Sequence, residues 1–356
     1  MAIEPLLPPP TASHRVVQWA TGNVGAHALR AVLEHPHLVL CGVLVHDPAK
    51  AGLDAAELCG AGRATGITAT TDVAEVLALA PDCVLYMPRL FDPDEVCRLL
   101  VAGIDVVTTH GELRHPESME PEVCARIEAA CWFGGASVLS TGVAPGFVTE
   151  TLPVALSSLQ RRVRRIAIEE SVQLATHGAD RLMLEAMGFG GAAREFEPER
   201  LAHARRLHAP SLRLLAESLR LPLDTVAVRG EHAVATRDVA LAGTVIPAGT
   251  VAAQRITVTG VADGHDLLGY RSTWYCTDEL DPAWTVGETG WHVSVEGETP
   301  VELSLRYPVR PDRLAAVSPR YAANRAVNAV AYLRAAPPGI RTTGDLPPIV
   351  AELGRS

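Results

Sequence analysis

Near its start the chain reads RVVQWATGNVG, Arg15 to Gly25, and this stretch limits the possible folds more than any other. Val16, Val17 and Trp19 read as a short buried strand. The chain then turns through Ala20, Thr21 and Gly22 and enters a helical stretch that begins at Asn23 and runs to Leu33. A strand that turns sharply into a helix aims free backbone N–H groups at one point, and the helix dipole adds partial positive charge there. Such a point suits a pyrophosphate. The spacing Ala20-x-Gly22-x-x-Gly25 is the dinucleotide fingerprint with its first glycine replaced. Gly22 leaves room for a phosphate to approach the backbone, Gly25 lets the helix pack closely on the strand, and Asn23 and Val24 stand between them among the cofactor-binding residues. The plainer reading is a strand–turn–helix built with small residues.

Beyond this unit the first half alternates strands with helices. Strands are expected at Leu38–Val45, Asp82–Met87, Ile104–Thr109 and Ser137–Ser140, with helices at Pro93–Ala102 and Pro121–Trp132. Runs of β-branched residues between helices indicate a parallel sheet covered on both faces, a Rossmann-like doubly wound domain. The pattern changes after about residue 160. Long alternating strands follow at Arg164–Val172, Val226–Val234, Tyr270–Tyr275, Trp291–Val295 and Val301–Tyr307, with a hairpin expected over Gly243–Thr259 around Pro247-Ala248-Gly249. One helix, Leu201–Arg220, interrupts them. The fold class is therefore α/β, with a second α+β domain on a largely antiparallel sheet. A last helix, Tyr321–Leu333, is expected to pack back on the first domain. The expected boundaries are a disordered lead-in at 1–13, a dinucleotide domain at 14–155, a substrate and dimerisation domain at 156–310, and a returning helix and tail at 311–356.

Composition narrows the partners. A formal charge of −10 argues against nucleic acid or an anionic membrane surface, and no apolar run reaches spanning length. Seven cysteines without a CxxC pair suit reduced thiols in a cytoplasmic protein. His35-Pro36-His37 and Glu112-x-x-His115 approach metal spacing, but neither has the second half that a site needs, so no metal is expected. The chain holds one lysine, Lys50. Arginine stays protonated at working pH, so lysine-dependent chemistry must use Lys50 or be absent.

In open α/β sheets the ligand lies beyond the carboxyl ends of the strands. After the second strand stands His46-Asp47-Pro48-Ala49-Lys50. Asp47 is placed to hold an adenosine ribose, whereas His46 and Lys50 suit a 2′-phosphate. The two signals conflict, and the reading leans to NADP with NAD possible; an Asp-Pro turn in solvent is the alternative. Met87-Pro88 follows the next inner strand. Thr109-His110-Gly111-Glu112 follows the one after it, where Glu112 is either an acid/base carboxylate, partly buried with a raised pKa, or an exposed loop glutamate. Trp274, Tyr275, Trp284 and Trp291 fall in one short stretch. They either fill a core or an interface, or line a small apolar pocket, with Trp274 the wall residue.

VVQWATGNVG, HDPAKAGLDAAELCG at 46–60, VVTTHGEL at 106–113, STGVAPGF at 140–147, and AVNAV with PPGI near the end occur in an order and spacing that span nearly the whole chain. Together they resemble the dihydrodipicolinate-reductase-like family, in the branch of 2,4-diaminopentanoate dehydrogenase and the native amine dehydrogenases. The resemblance implies NAD(P)H-dependent reduction of an imine formed from a small ketone or aldehyde and ammonia. It implies Glu112 as the catalytic carboxylate, Gly142 to Phe147 along the nicotinamide and substrate with Phe147 as a pocket wall, and Asn328 reaching the cofactor from the last helix. The His- and Lys-bearing loop and Ser-Gly-Thr motif of true dihydrodipicolinate reductases are missing between 150 and 200. A homodimer through the second-domain sheet is expected. A carbonyl or alcohol oxidoreductase of the same fold and a non-catalytic NAD(P)-binding sensor are the competing readings.

Overall fold

Alternating apolar residues in the first half face opposite sides of one sheet, and helices close over both. The computed structural model describes residues 13–177, 181–241 and 243–351. The expected lead-in at 1–13 falls almost wholly outside them. The chain forms two units, one reaching Gly146 and resuming at Pro319, the other Phe147–Ser318. These divisions fall before the expected 155 and after the expected 310.

The strands, in chain order, begin with β1 (His14–Trp19), β2 (Leu38–Leu44), β3 (Ala69–Thr70), β4 (Cys83–Tyr86), β5 (Asp105–Thr108) and β6 (Ser137–Ser140). The second unit holds β7 (Val163–Gln173), β8 (Thr225–Ala235), β9 (Val239–Leu241), β10 (Thr244–Ile246), β11 (Val251–Ala262), β12 (His265–Tyr275), β13 (Leu280–Asp281), β14 (Gly290–Gly297) and β15 (Val301–Arg306). A last short strand, β16 (Gly339–Arg341), returns to the first sheet. That sheet is parallel throughout, in the order β16-β6-β5-β4-β1-β2-β3. Val16, Val43, Cys83, Leu85, Val107 and Leu139 enter one core layer, and Val17, Leu44, Val84, Tyr86, Val106 and Val138 enter the other. This is the period-two alternation of a sheet buried on both sides.

The helix Asn23–Glu34 adds Ala28, Leu29 and Val32 to the first layer. The last helix, Pro311–Arg334, adds Ala323, Ala326, Val327, Val330 and Leu333 at helical spacing, so it does pack on the first sheet. It starts ten residues before the expected Tyr321 and runs through Pro319. Its far end is tied down by charge. Arg334 Nη1 lies 3.0 Å from an oxygen of buried Asp105, whose other oxygen accepts from Ser137 N–H at 2.6 Å.

The second unit carries the order β13-β8-β11-β12-β7-β14-β15, antiparallel except for β12 beside β7. The helix Pro198–Ser218 covers one face, burying Leu212, Leu214 and Leu215. The expected simple hairpin at Pro247–Gly249 is not formed. β10 pairs with β9 in a separate two-stranded sheet, and Gly249 N–H donates to Ala235 at the end of β8. Among the described residues no helix is long and apolar enough to cross a membrane.

Removing the Arg334 guanidinium leaves Asp105 charged and unpaired under the helix. Arg334→Met should lower stability by about 2–3 kcal/mol in denaturant unfolding, and Asp105→Asn in that background should recover part of the loss. Additive losses in the double variant would show that the two groups do not interact.

Candidate active site

The parallel sheet brings its strand ends level. Trp19 pairs with Leu44 on one side and Tyr86 on the other, Tyr86 with Thr108, and Thr108 with Ser140. The segments singled out in the sequence all begin just past this line: Ala20–Gly25, His46–Lys50, Met87–Pro88, Thr109–Glu112 and Gly142. The strand order reverses direction between β1 and β4, the position at which open α/β sheets bind ligands.

The β1 turn is built by four residues. Ala20 stands at the first fingerprint position with φ 70°, a left-handed conformation that costs alanine about 1 kcal/mol. It is held there at both ends. Its N–H donates to Leu44 at 2.8 Å, and its carbonyl accepts from the Gln18 amide at 2.9 Å. Gln18 is fully buried and sits two residues before the turn. A Cβ on Gly25 would collide with that same Ala20 carbonyl, so only glycine lets the helix start there. Gly22 is different: a Cβ there would meet nothing within 4 Å. The room above Gly22 is not required by the chain's own packing. Asn23 and Val24 open a twelve-residue helix with no side-chain cap and no acidic residue in its first turn. Uncapped N–H groups beside open space form a cradle of the kind a diphosphate fills.

The only lysine reaches this turn. Lys50 Nζ donates to the Thr21 carbonyl at 3.1 Å and lies 3.3 Å from Thr21 Oγ1, placing a cation beside the cradle. Asp47 uses one carboxylate oxygen to cap its own Pro48–Lys50 turn, accepting from Ala49 N–H at 2.9 Å. His46 is exposed, with Nε2 3.9 Å from a Glu95 oxygen. The groups present fit a nicotinamide dinucleotide: N–H donors and a lysine for phosphates, and an imidazole with a partly committed carboxylate past β2.

Beyond β5, Gly111–Leu113 forms a single tight turn that buries Leu113 and turns Glu112 outward. The Glu112 side chain is 48 % exposed, nearer the exposed loop glutamate than the buried carboxylate of the two alternatives. What the sequence did not single out is the partner. His110 Nε2 donates to the Pro88 carbonyl at 3.0 Å, and its Nδ1 faces a Glu112 oxygen at 3.7 Å. Because Pro88 only accepts, the ring proton sits on Nε2, leaving the Nδ1 lone pair toward Glu112. Burial lowers the His110 pKa, and the Glu112 charge partly offsets that. Thr109 is half-buried beside the pair, and buried Ser140 donates to the His110 carbonyl.

Past β6, the loop from Thr141 to Gly146 wraps a fully buried arginine. Cβ atoms on Gly142 and Gly146 would lie 3.2 and 3.3 Å from the Arg114 guanidinium, and Gly146 has φ 134°. Arg114 gave no signal in the sequence beyond standing two residues from Glu112. Met87 is buried at the end of β4. Asn328 is half-buried on the last helix, with no side-chain hydrogen bond among the described residues. Phe147 and Trp274 belong to the second unit. There Trp274 packs with Trp284 against Leu174, Ala253 and Tyr275, the core role weighed above.

Residues 147–355 match the family described as the 2,4-diaminopentanoate dehydrogenase C-terminal domain. An amine dehydrogenase of Streptomyces virginiae is 31 % identical over 95 % of this chain and 98 % of its own length. The chain belongs to the family of amine and 2,4-diaminopentanoate dehydrogenases. It is thus an NAD(P)-dependent oxidoreductase. The 2,4-diaminopentanoate dehydrogenase of Acetoanaerobium sticklandii is 26 % identical over 36 % of this chain and 34 % of that protein. The solved amine dehydrogenase of Mycobacterium smegmatis shares the fold, with a TM-score of 0.74 and 19 % identity, covering 96 % of this chain and 98 % of that one.

In this family member the His110–Glu112 pair makes a sign-specific prediction. His110 should titrate below the ordinary 6.5 in an NMR titration, and Glu112→Gln should move it lower still by removing the charge that favours imidazolium. Between the folded midpoint and 6.5 the unfolded chain binds the extra proton, so stability should fall as pH falls through that window. An unchanged midpoint in the variant would show that the two groups are uncoupled.

Proposed function

We propose that this protein is an amine dehydrogenase that interconverts a small ketone or aldehyde plus ammonia with the primary amine, using NADP in preference to NAD. The observation that carries the reading is the carboxylate of Glu112, exposed beside neutral His110 at the end of a central strand, in a chain of this family. A bound nicotinamide supplies hydride. Ala20, Thr21, Gly22, Asn23, Val24 and Gly25 hold the diphosphate, with Lys50 next to it. His46 and Lys50 past β2 favour a 2′-phosphate, because Asp47 spends part of its carboxylate on its own turn. Met87, Pro88, Thr109, Gly142 and Asn328 complete the cofactor wall in this proposal, and Phe147 and Trp274 border the substrate.

Glu112 as carboxylate takes a proton from ammonium, freeing ammonia to add to the carbonyl carbon, and one N–H proton of the adduct moves to its oxygen to give a neutral carbinolamine. The proton held by Glu112 then leaves with the hydroxyl as water, and the carboxylate is restored. The remaining iminium is cationic and is held by the negative carboxylate while hydride reaches its carbon. His110, kept neutral by burial, accepts through Nδ1 when Glu112 carries the proton. The open face of the second sheet, lined by Arg165, Glu169, Arg229 and Arg271, is the surface on which we place a homodimer, and we place the protein in the cytoplasm.

NADPH oxidation should require both ketone and ammonia. Glu112→Gln should lower kcat about a thousandfold or more, with NADPH affinity changed no more than about threefold. Near-normal turnover in the variant would remove Glu112 from the chemistry. Ketone reduction without ammonia would favour a plain carbonyl reductase.

A further inference from the structure

The second sheet carries a groove whose residues have no part in the cofactor or substrate assignments above. Its floor is one row of the strand register: Arg255 of β11, Thr273 of β12, Ser171 of β7, Gly290 of β14 and Arg306 of β15. Two residues along the strands, Arg271 of β12 stands beside Glu169 of β7 on the same face. Residues 285–288 wall this floor, and the cavity so formed has a volume of about 440 Å³. The wall is pinned, because Tyr275 Oη donates to the Gly287 carbonyl at 2.7 Å.

The cations of the groove are unequally matched. Arg271 pairs with Glu169 at 2.8 Å, and Arg306 with Glu288 at 2.9 Å. Among the described residues Arg255 has no carboxylate at ion-pair distance. Glu231, opposite it on β8, has its Oε2 3.8 Å from Arg229 Nε instead. Arg255 is half-buried and is fixed by neutral groups alone. Its Nε donates to Thr273 Oγ1 at 3.1 Å, its Nη2 donates to the Thr285 carbonyl at 3.4 Å, and its Cζ lies 4.1 Å from the centre of the Trp284 ring. Burial disfavours its charged form and the like charge of Arg271 adds to this, with Glu231 and Glu169 offsetting part of it. Two of the five N–H donors of the guanidinium are used, which leaves the Nη1–Nη2 edge. That edge grips an oxyanion through two parallel hydrogen bonds. Ser171 Oγ, one strand beyond Thr273, makes no hydrogen bond among the described residues. A half-buried cation without a counter-ion, held rigid in a cavity beside an unused hydroxyl, is the complement of a small anion.

We propose that this groove binds a small oxyanion, a phosphate or a carboxylate group, on the free edge of Arg255 with Ser171 Oγ as a further donor. Arg271 adds positive charge from the next row. Glu169 and Arg271 also border the face on which we place the homodimer, and an anion beside them offsets repulsion among arginines that two copies bring together. The site stands independently of the amine dehydrogenase reading, which concerns Glu112.

Isothermal titration calorimetry on the full-length protein tests this with three probes: inorganic phosphate, butanoate, and butanamide as the neutral isostere of butanoate. Sodium chloride at about 150 mM screens exposed charges. At least one of the two anions should bind with a Kd of about 1 mM or tighter, and butanamide should not bind. Phosphate binding alone assigns the site to phosphate, and butanoate binding alone to carboxylates. Because Trp284 lies on the Arg255 guanidinium, binding should also change the tryptophan fluorescence. Arg255→Gln should weaken binding by about 10- to 100-fold, the range of charge-assisted hydrogen bonds. Should that variant fold poorly, Ser171→Ala removes only the hydroxyl and should weaken binding by about 3- to 10-fold. Sedimentation velocity in the same buffers reads the dimer separately from the site. No binding of either anion, butanamide binding as tightly as the anions, or wild-type affinity in the folded variant overturns the proposal.

Discussion

The Gln18 amide gripping the Ala20 carbonyl is the contact on which the nucleotide end of this molecule depends. Alanine disfavours the left-handed turn that β1 needs before its helix, and the fully buried glutamine offsets that cost with a hydrogen bond made inside the sheet. With Ala20 so placed, Gly25 lies flat against the same carbonyl, and the helix begins with its N–H groups free. The one lysine then bonds back to Thr21 and brings positive charge to the cradle. A different residue at 18 would leave the strand intact and the turn unsupported.

The surroundings of Glu112 suit the part proposed for it. Glu112 is turned outward by a three-residue turn and has a neutral imidazole for a neighbour, which suits a group that must gain and lose a proton. Nearly all cations of the chain are arginines, which do not give up protons, so proton traffic falls to carboxylate and imidazole.

Local signals made much of this legible. Runs of β-branched residues between helices marked β1, β2, β4, β5 and β6, alternation marked β7 and β8, and the Ala20-x-Gly22-x-x-Gly25 spacing marked the turn. The two shortest strands of the first sheet, Ala69–Thr70 and Gly339–Arg341, were invisible because so few residues carry no period. The first ten residues of the last helix, Pro319 among them, were not expected to be helical. The Pro247–Gly249 turn signal was correct in kind but not in pairing, because turn chemistry does not say which strand lies nearest. Arg114 was missed because its surroundings, Gly142 and Gly146, are distant in sequence, and Gln18 because its amide meets the Ala20 carbonyl only through a turn geometry that residue types do not encode. The sequence left the depth of Glu112 open between a buried and an exposed carboxylate, because residue type does not encode which way a short turn aims its side chains.

The central claim is that one dinucleotide lies along the strand ends with its diphosphate on the Asn23–Glu34 helix and its nicotinamide at Glu112. A crystal structure of the NADP+ complex tests it most directly. The account predicts phosphate oxygens within hydrogen-bonding distance of the backbone N–H groups of Asn23 and Val24, and the nicotinamide ring beside the Glu112 carboxylate. A diphosphate bound away from that helix, or a nicotinamide remote from Glu112, would contradict it.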